Sequence, residues 1–540
     1  MSTTAAEASS GERTRQRSSL VIAASSLGTV FEWYDFYLYG LLATILSAQF
    51  FSGVNETTGF ILALAAFAAG FAVRPLGAIV FGRVGDLVGR KNTFLVTMAI
   101  MGLSTFLVGL LPNYASIGIA APILLVTLRI LQGLALGGEY GGAATYVAEH
   151  APHDRRGFHT SFIQTTATVG LFAALIVVIA TRTWIGEEAF AAWGWRLPFL
   201  LSLFLLAVSM WIRMQLEESP VFRRMKAEGT TSKAPLTEAF ARWPNLKLVL
   251  IALFGAVAGQ AVVWYTGQFY ALFFLEKILR VDGATANIMI AIALAIGTPF
   301  FLFFGWLSDR MGRKKIILAG CLFAALTYFP LFNTLSKVVN PALFAAQVSA
   351  PVTVYADPST CSAQFDPIGK TRFDKSGCDV AKSTLAKAGI PYSTEPYGQG
   401  EVSVGNRTIA VDDLATYGER LKAAVAEAGY PEKADPAQID RPMAIAILTL
   451  LVIYVTMVYG PIAAMLVELF PARIRYTSMS LPYHIGNGWF GGFLPTIAFA
   501  IVAATGNIYS GLWYPVIVAL ATVVIGALLL PETRDRRIEA

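Results

Sequence analysis

The sequence contains few charged residues, few histidines and few cysteines. Only 14% of its 540 residues are charged, and it has four histidines and three cysteines, whereas a soluble domain carries about 25% charged residues. It also lacks a P-loop, a Cys/His cluster with zinc spacing and a recognisable Ser/His/Asp set. These absences argue against ATP hydrolysis, a metal site and an enzyme, and we expect no cofactor.

Long apolar segments dominate the chain instead. Hydrophobic residues make up 55% of the sequence, and they fill whole segments rather than one stripe of a helix. A run of about 20 apolar residues spans a bilayer as a helix, and the chain contains twelve such segments. We therefore predict an all-α membrane protein with twelve transmembrane helices, in contact with the lipid bilayer.

Lysine and arginine alternate between the loops. The loops 49–57, 112–122 and 504–510 contain neither residue. The basic clusters of the alternate loops begin at Arg83, Arg155, Arg223, Arg310 and Arg473. By the positive-inside rule both termini are cytoplasmic. The net charge of +6 is therefore a topology signal and requires no nucleic-acid partner.

A ten-residue motif, G-x-x-x-D-x-x-G-R-K, occurs twice. The first copy contains Gly82, Asp86 and Arg90, and the second contains Asp309 and Arg313 at the equivalent positions. Both copies fall in loops predicted to be cytoplasmic. One repeated motif could arise by chance. A second motif repeated in the same order would indicate that the two halves of the chain are similar.

The second repeat, E-x-x-P-x-x-x-R, begins at Glu149 and again at Glu468, after the first motif in each case. Two motifs repeated in the same order predict a six-plus-six architecture. The predicted boundaries are an N-terminal tail (1–18), a first six-helix bundle (19–215), a linker (216–244), helices 7–9 (245–336), an insert (337–441), helices 10–12 (442–531) and a C-terminal tail (532–540).

The insert interrupts the hydrophobic pattern and carries more acidic than basic residues. Strand-like runs cover 351–355 and 401–409, and helix-like runs cover 379–388 and 412–428. The predicted orientation places the insert outside the cytoplasm, where a disulfide between Cys361 and Cys378 is expected. Cys321, in an apolar helix, is predicted to be buried. We expect a small α+β lid, and a surface addition without a role in transport is the alternative.

Five short segments resemble the metabolite:proton symporter branch of the major facilitator superfamily. They are residues 31–36 (FEWYDF), 74–77 (RPLG), 131–141 (LQGLALGGEYG), 193–199 (WGWRLPF) and 216–222 (LEESPVF). Family members of this kind carry α-ketoglutarate, proline and betaines, citrate or shikimate together with a proton. The resemblance implies this reaction class and a bacterial inner-membrane location, and it does not select the solute.

Two carboxylates lie in the middle of the first apolar segment. Glu32 and Asp35 are three residues apart and therefore share a helix face. A carboxylate in hydrocarbon marks an ion pathway or a buried pair, and burial lets such a group exchange protons near neutral pH. We predict proton coupling by these residues; the alternative is a structural ion pair with Arg74 or Arg129.

Arg74 and Arg129 are the predicted carboxylate-binding residues. An arginine near the membrane midplane holds a carboxylate in a two-pronged geometry. We expect solute contact from Arg129 more than from Arg74, because Arg74 lies nearer the cytoplasm. For both residues, pairing within the protein is the alternative.

The predicted seventh helix presents a polar-aromatic face formed by Gln260, Trp264, Tyr265 and Gln268. Aromatic side chains with a hydrogen-bonding group suit a half-apolar solute or a quaternary ammonium. Helix packing or an aromatic belt is the alternative. Gln164 in the fifth helix is added to the predicted solute site.

His484 and Asn487 belong to the predicted eleventh helix. An intramembrane histidine can relay protons near pH 7, and a hydrogen-bonded structural role is the alternative for His484. Asn487 is predicted to contact the solute, because it lies three residues further along the same helix.

The predicted fourth helix carries Gly133, Gly137 and Gly141 at four-residue spacing, which allows another helix to approach closely. Glu139 lies in the same helix. It is predicted to be either a second proton site or a partner in the cytoplasmic gate.

The duplicated ten-residue motif resembles the cytoplasmic clamp of the superfamily. The resemblance implies that Asp86 with Arg90, and Asp309 with Arg313, form charge pairs beside Gly82. Such pairs lock the two halves together in the outward-open state and separate in the inward-open state.

The resemblance implies two six-helix bundles related by a pseudo-two-fold axis along the membrane normal, with the solute site between them. We hypothesise that a monomer imports a small carboxylate-bearing metabolite, of α-ketoglutarate, other dicarboxylate or shikimate type, together with protons. Proline or glycine betaine is the nearest alternative solute. A membrane solute sensor is the alternative of another class.

Overall fold

The computed structural model describes residues 26–53, 56–215, 217–362 and 373–538, apart from Leu27 and Glu32. Ten helices within these residues are long and apolar enough to cross a membrane. Two further helical stretches precede these ten in the chain. A total of twelve membrane spans therefore remains a prediction.

The long helices are numbered in chain order. They are α1 (33–50, with a turn at Leu42), α2 (Glu56–Leu87), α3 (Arg90–Leu110), α4 (Ala120–His150), α5 (His153–Ile185), α6 (Arg196–Met214), α7 (Trp243–Ile278), α8 (Gly283–Met311), α9 (Arg313–Val339), α10 (Arg441–Leu469), α11 (Ala472–Val502) and α12 (Ser510–Leu529). Short helices outside the insert are Tyr114–Ile117, Glu187–Ala189, Phe190–Gly194, Pro220–Glu228 and Thr237–Ala241.

The two halves of the bundle, α1–α6 and α7–α12, meet through equivalent helices. Helix α2 packs on α11, and α8 packs on α5. The duplicated motifs lie at one end of these contacts, in the loops α2–α3, α4–α5, α8–α9 and α10–α11. We call this end of the bundle the charged face.

Small residues bring α4 and α2 into backbone contact. A Cβ atom on Gly133 would lie 2.2 Å from the carbonyl oxygen of Gly70, and one on Gly137 would lie 2.3 Å from that of Arg74. The predicted close packing of these two glycines is confirmed. Gly141 instead faces α11, where its Cβ would meet the hydroxyl oxygen of Ser480 at 2.1 Å.

The insert forms a four-stranded sheet between α9 and α10. Its strands are β1 (Val352–Ala356), β2 (Ser393–Glu395), β3 (Gln399–Val404) and β4 (Arg407–Ile409), in the order β2-β1-β3-β4. Its helices are Pro341–Ser349, Gly377–Lys387 and Leu414–Glu427. The run predicted as one strand over 401–409 is a hairpin of β3 and β4, because the chain turns at Gly405, which has a φ of 58°.

The insert is attached to the second half of the bundle. The Tyr392 amide donates a 2.9 Å hydrogen bond to the Gly506 carbonyl in the α11–α12 loop. The Arg280 side chain at the end of α7 donates to the Ala388 carbonyl at 3.1 Å. Within the insert, Cys361 and Cys378 form the predicted disulfide.

Candidate functional site

A small cavity lies among α1, α2 and α4, close to the contact between the two halves. Its volume is about 10 Å³, which is about the space of one water molecule. The lining residues are Asp35, Phe36, Gly70, Phe71, Arg74, Arg129, Gln132, Gly133 and Leu136. The structure therefore brings together three of the predicted residues, Asp35, Arg74 and Arg129, in one small cavity.

Asp35 and Arg129 form a buried ion pair. The Arg129 Nη1 atom lies 3.4 Å from the Asp35 Oδ2 atom and 2.5 Å from the Gln132 Oε1 atom. The Gln132 amide in turn donates to Asp35 at 3.3 Å and to Thr105 at 2.9 Å. Gln132 and Thr105 were not predicted, since neither residue carries a charge that marks it in a span.

Arg74 lies on the opposite wall of the cavity. Its guanidinium stacks on the Phe71 ring at 4.3 Å from the ring centroid. Its Nε atom is buried without a hydrogen-bond partner, and the side chain forms no ion pair with the described residues. Arg74 thus lines the same cavity as Arg129, and its backbone contacts Gly137, which lies nearer the charged face along α4 than Arg129 does.

The second half contributes α7 and α11 to the centre of the molecule. Gln260 and Asn487 exchange two hydrogen bonds of 3.1 and 3.2 Å through their amide groups. His484 is buried, and neither of its ring nitrogens has a hydrogen-bond partner among the described residues. Gln268 is also buried and forms no hydrogen bond to a described side chain or carbonyl group.

Aromatic rings from both halves meet beside the cavity. Trp33 lies 5.3 Å from Trp264 between ring centroids, and Phe71 lies 6.5 Å from Tyr265. The Trp264 Nε1 atom is buried without a hydrogen-bond acceptor. Two of the four residues predicted on α7 therefore form the surface that α7 presents to the first half.

A second aromatic contact was not predicted. The Tyr140 and Tyr483 rings stack across the two halves with centroids 3.6 Å apart. The Tyr483 and Tyr459 hydroxyls share a hydrogen bond of 2.7 Å, and the Gln164 amide donates to the Tyr140 hydroxyl at 2.8 Å. Gln164 therefore contacts the interface between the halves through Tyr140.

Glu139 pairs with a residue of the first half and also lies near Tyr476 of the second half. It is fully buried and lies 3.5 Å from the Arg213 Nη2 atom at the end of α6. The Arg213 guanidinium stacks on Phe94 at 3.4 Å, so the pair is internal to the first half. Glu32 lies outside the described residues.

The charged face is closed by hydrogen bonds between the halves. The Asp86 carboxylate accepts from the Thr477 amide at 2.9 Å and from the Tyr476 amide at 3.3 Å. Arg90 lies 2.8 Å from Asp86 and donates to the Ala472 carbonyl at 2.7 Å. A side chain of α2 thereby caps the first turn of a helix in the other half.

The second copy of the motif forms the equivalent contact. The Asp309 carboxylate accepts from the amides of Gly157 and Phe158, both at 2.8 Å. Arg313 lies 2.6 Å from Asp309 and 3.1 Å from Glu468. The predicted pairs Asp86–Arg90 and Asp309–Arg313 are confirmed as ion pairs.

The glycine of each motif copy allows this approach. A Cβ atom on Gly82 would lie 2.9 Å from the Thr477 Cα atom, and one on Gly305 would lie 2.7 Å from the Gly157 carbonyl oxygen. Neither glycine has a positive φ. Close contact between helices, rather than backbone conformation, requires glycine here.

The charged face uses a third repeat that the sequence analysis missed. Glu218 accepts from the amides of Arg90 and Lys91, and Glu532 accepts from those of Arg313 and Lys314. The next residue acts alike in both copies, since Ser219 donates to Glu149 and Thr533 donates to Glu468. The sequence signal for this repeat is a glutamate followed by serine or threonine, shortly after the last long helix of each half.

The C-terminal segment crosses the charged face. The Ile538 carbonyl accepts from Arg475 at 2.8 Å, and the Arg536 carbonyl accepts from Arg156 at 3.2 Å. Arg475 also lies 2.7 Å from Glu149 of the first half. The tail therefore supplies acceptors to buried arginines of both halves.

The described residues contain no group of three His, Cys, Asp or Glu side chains that could hold a metal ion. The arrangement they do form is a small charged cavity in the first of two similar bundles, close to the contact between them, with ion pairs sealing one end of that contact. Such an arrangement suits solute passage by movement of one bundle against the other.

Comparison with known proteins identifies the family to which this chain belongs. Residues 25–357 match the family model of the Major Facilitator Superfamily, and residues 425–540 match that of the sugar (and other) transporters. The chain is 38% identical to the shikimate transporter of Escherichia coli (strain K12) over 58% of its length and 71% of that protein. It is 33% identical to a putative proline/betaine transporter of Staphylococcus aureus (strain MSSA476) over 74% of its length and 89% of that protein.

Solved structures share the fold. The proton:xylose symporter XylE, bound to 6-bromo-6-deoxy-D-glucose, superposes with a TM-score of 0.65 at 15% identity, covering 97% of this chain and 98% of that one. The fucose:proton symporter FucP superposes with a TM-score of 0.51 at 15% identity, covering 96% and 100%. The chain is a multi-pass membrane transporter that belongs to the Major Facilitator Superfamily.

Proposed function

We propose that this chain is a proton-coupled symporter that imports a small monocarboxylate, of the kind represented by shikimate. The observation that carries the proposal is the position of Arg74. Of the described charged residues that line the cavity, Asp35 is already paired with Arg129. Arg74 therefore leaves one uncompensated positive charge, which matches one carboxylate group.

Groups that the second half brings to the contact between the halves suit the rest of a hydroxylated ring. Gln260, Asn487 and His484 supply hydrogen-bonding atoms from the second half, and Trp33 with Trp264 supply apolar surface. The relative named as a shikimate transporter agrees with this assignment.

The test is uptake of labelled shikimate by proteoliposomes that contain Arg74→Ala. A lost charge-assisted contact costs about 1.5–3 kcal/mol, so we expect uptake at low solute concentration to fall by roughly tenfold or more. Arg182→Ala is the matched control, because this side chain is 42% exposed, pairs with exposed Glu187 and stacks on Phe190, away from the cavity. Arg74→Lys should give an intermediate value. Undiminished uptake by Arg74→Ala would refute the proposal.

Asp35 is the proposed proton carrier. It is a buried carboxylate that pairs with Arg129 and also interacts electrostatically with Arg74, and its protonation would weaken the ion pair with Arg129. We expect Asp35→Asn to retain exchange of internal for external solute while losing accumulation driven by a proton gradient. Asp154→Asn, at a 77% exposed carboxylate, should accumulate solute normally. Gradient-driven accumulation by Asp35→Asn would exclude this role.

A second candidate solute is a betaine or proline. The contact of Trp33, Trp264 and Tyr265 offers ring faces to a quaternary ammonium, and a relative is named as a proline/betaine transporter. Competition for labelled uptake separates the two solutes. If glycine betaine competes better than shikimate, and Trp264→Leu abolishes that competition, the solute is the zwitterion.

The proposed location is the bacterial inner membrane, with the charged face and both termini in the cytoplasm. This orientation rests on the lysine and arginine residues of the charged face. It places the insert on the outer side. Labelling of a cysteine introduced at the exposed residue Ser359 in intact cells, with a reagent that does not cross membranes, tests it directly.

A further inference from the structure

The insert has the strand topology of a redox domain. Strands β1 and β2 are parallel and are joined through the helix Gly377–Lys387, while β3 and β4 continue the sheet in antiparallel fashion. The helix Leu414–Glu427 packs on Gly377–Lys387. This arrangement is that of thioredoxin-like domains, in which a reactive cysteine lies where the first helix begins. The likeness of topology is an analogy, and the chemistry must come from the site.

The disulfide lies at the corresponding position. Cys378 is the second residue of the helix Gly377–Lys387 and is fully buried, whereas Cys361, which follows β1, is partly exposed. Ser362 donates to the Asp379 carboxylate through its amide at 2.7 Å and its hydroxyl at 3.0 Å. This tether holds the two cysteine residues close together without the sulfur–sulfur bond.

A glycine-containing loop approaches the same helix end. Gly398 and Gly400 have φ values of 96° and 109°, and a Cβ atom on Gly400 would lie 2.2 Å from the Cys378 nitrogen. Tyr397 beside them is 61% exposed. The loop thus carries an exposed aromatic ring, packed 5.2 Å from the Tyr355 ring, three residues before the backbone that contacts Cys378.

We propose that the insert is a thiol–disulfide exchange site for a dithiol partner. The partner's thiolate attacks the Cys361 sulfur, the Cys361–Cys378 bond breaks, and its electron pair leaves on the Cys378 sulfur. The second thiol of the partner then attacks the mixed disulfide and releases Cys361. The partner is oxidised to a disulfide, and the insert is reduced to two thiols.

The direction of attack follows from exposure and helix position. Cys361 is partly exposed whereas Cys378 is fully buried, so Cys361 carries the sulfur that is attacked. The leaving sulfur of Cys378 lies in the first turn of an 11-residue helix, where backbone N–H groups stabilise a thiolate. The carboxylate of Asp379 opposes this effect, which makes the site slower than one with a basic neighbour.

Native-state reduction of the full-length protein tests the proposal without any variant. The purified protein is treated with dithiothreitol in detergent, and free thiols are counted by mass-tagged maleimide. We expect reduction at a rate within about tenfold of that of the same protein in denaturant. A disulfide that resists reduction until the protein is denatured is purely structural and would overturn the proposal.

Trapping identifies the attacked sulfur and the class of partner. In a Cys321→Ser background, the free thiol of Cys378→Ser should attack a peptide that carries an intramolecular disulfide, and form the mixed disulfide with release of one peptide thiol, about tenfold faster than that of Cys361→Ser. Equal trapping by both variants would overturn the assignment of Cys361. Oxidised glutathione is the second probe: faster reaction with the peptide supports a protein partner, and faster reaction with glutathione contradicts a protein partner.

Discussion

The Asp309 carboxylate lies 2.8 Å from the backbone nitrogen of Gly157, so a side chain of the second half caps a helix of the first. Asp86 caps a helix of the second half through the Thr477 nitrogen at 2.9 Å. The first turn of a helix has N–H groups without partners in the helix itself. Separation of the halves at the charged face therefore exposes two helix ends at once.

Asp309→Ala should favour opening of the charged face. Loss of a helix cap costs about 1–2 kcal/mol, which corresponds to roughly a tenfold increase in the open state. The measurement is maleimide labelling of Ser161→Cys in a Cys321→Ser background, since Ser161 is buried where α5 meets Gly305. Asp154→Asn is the control, and labelling at the wild-type rate in Asp309→Ala would contradict the capping role.

Deletion of residues 536–540 should also open the charged face. Arg156 and Arg475 are buried and donate to the carbonyls of Arg536 and Ile538, and removal of a partner from a buried charge is costly. We expect several-fold faster labelling of Ser161→Cys. Arg537→Ala is the matched control, because its side chain is exposed and the backbone acceptors remain. Equal labelling of the deletion and this control would refute the contribution of the tail.

Gly137→Ala should destabilise the first half. Its Cβ would meet backbone atoms of Arg74 and Ala78 at 2.3 and 2.5 Å, and backbone cannot move aside as a flexible side chain does. Overpacking of this kind costs about 1–3 kcal/mol. The control is Gly40→Ala, since a Cβ there has no neighbour within 4 Å. Thermal unfolding in detergent should separate the two, and equal melting temperatures would contradict the contact.

His484→Gln should weaken solute binding. Both ring nitrogens are buried and lack partners among the described residues, so they are available to a bound solute. Loss of one neutral hydrogen bond costs about 0.5–1.5 kcal/mol, which corresponds to a two- to tenfold increase in KM. If gradient-driven accumulation disappears while KM stays constant, His484 relays protons instead, as the sequence analysis expected.

The sequence predicted the contacts of the charged face because they arise from a repeat. Asp86 and Asp309 occupy equivalent positions, and equivalent positions in two similar bundles form equivalent contacts. Glu218 and Glu532 obey the same rule, but their repeat is only two residues long and was therefore missed. Symmetry in the chain was thus the strongest source of correct residue pairs.

Side-chain contacts that depend on how two helices pack were harder to predict. The pairing of Glu139 with Arg213 depends on how α4 packs against α6, and no spacing along the chain encodes it. The stacking of Tyr140 on Tyr483 likewise depends on the approach of two helices from different halves. Residues without charge, such as Gln132, carried no signal that distinguishes a cavity wall from ordinary packing.

The attachment of the insert to the second bundle allows the movement of the bundles to be followed as a distance. Its hydrogen bonds through Tyr392 and Arg280 join it to the α11–α12 loop and to the end of α7, so it is carried by the second bundle. We expect that rocking of one bundle against the other moves the insert relative to the α3–α4 loop of the first bundle. A fluorescent pair placed on Ser359 and on the α3–α4 loop would therefore read the conformational cycle as a change in distance, well away from the solute.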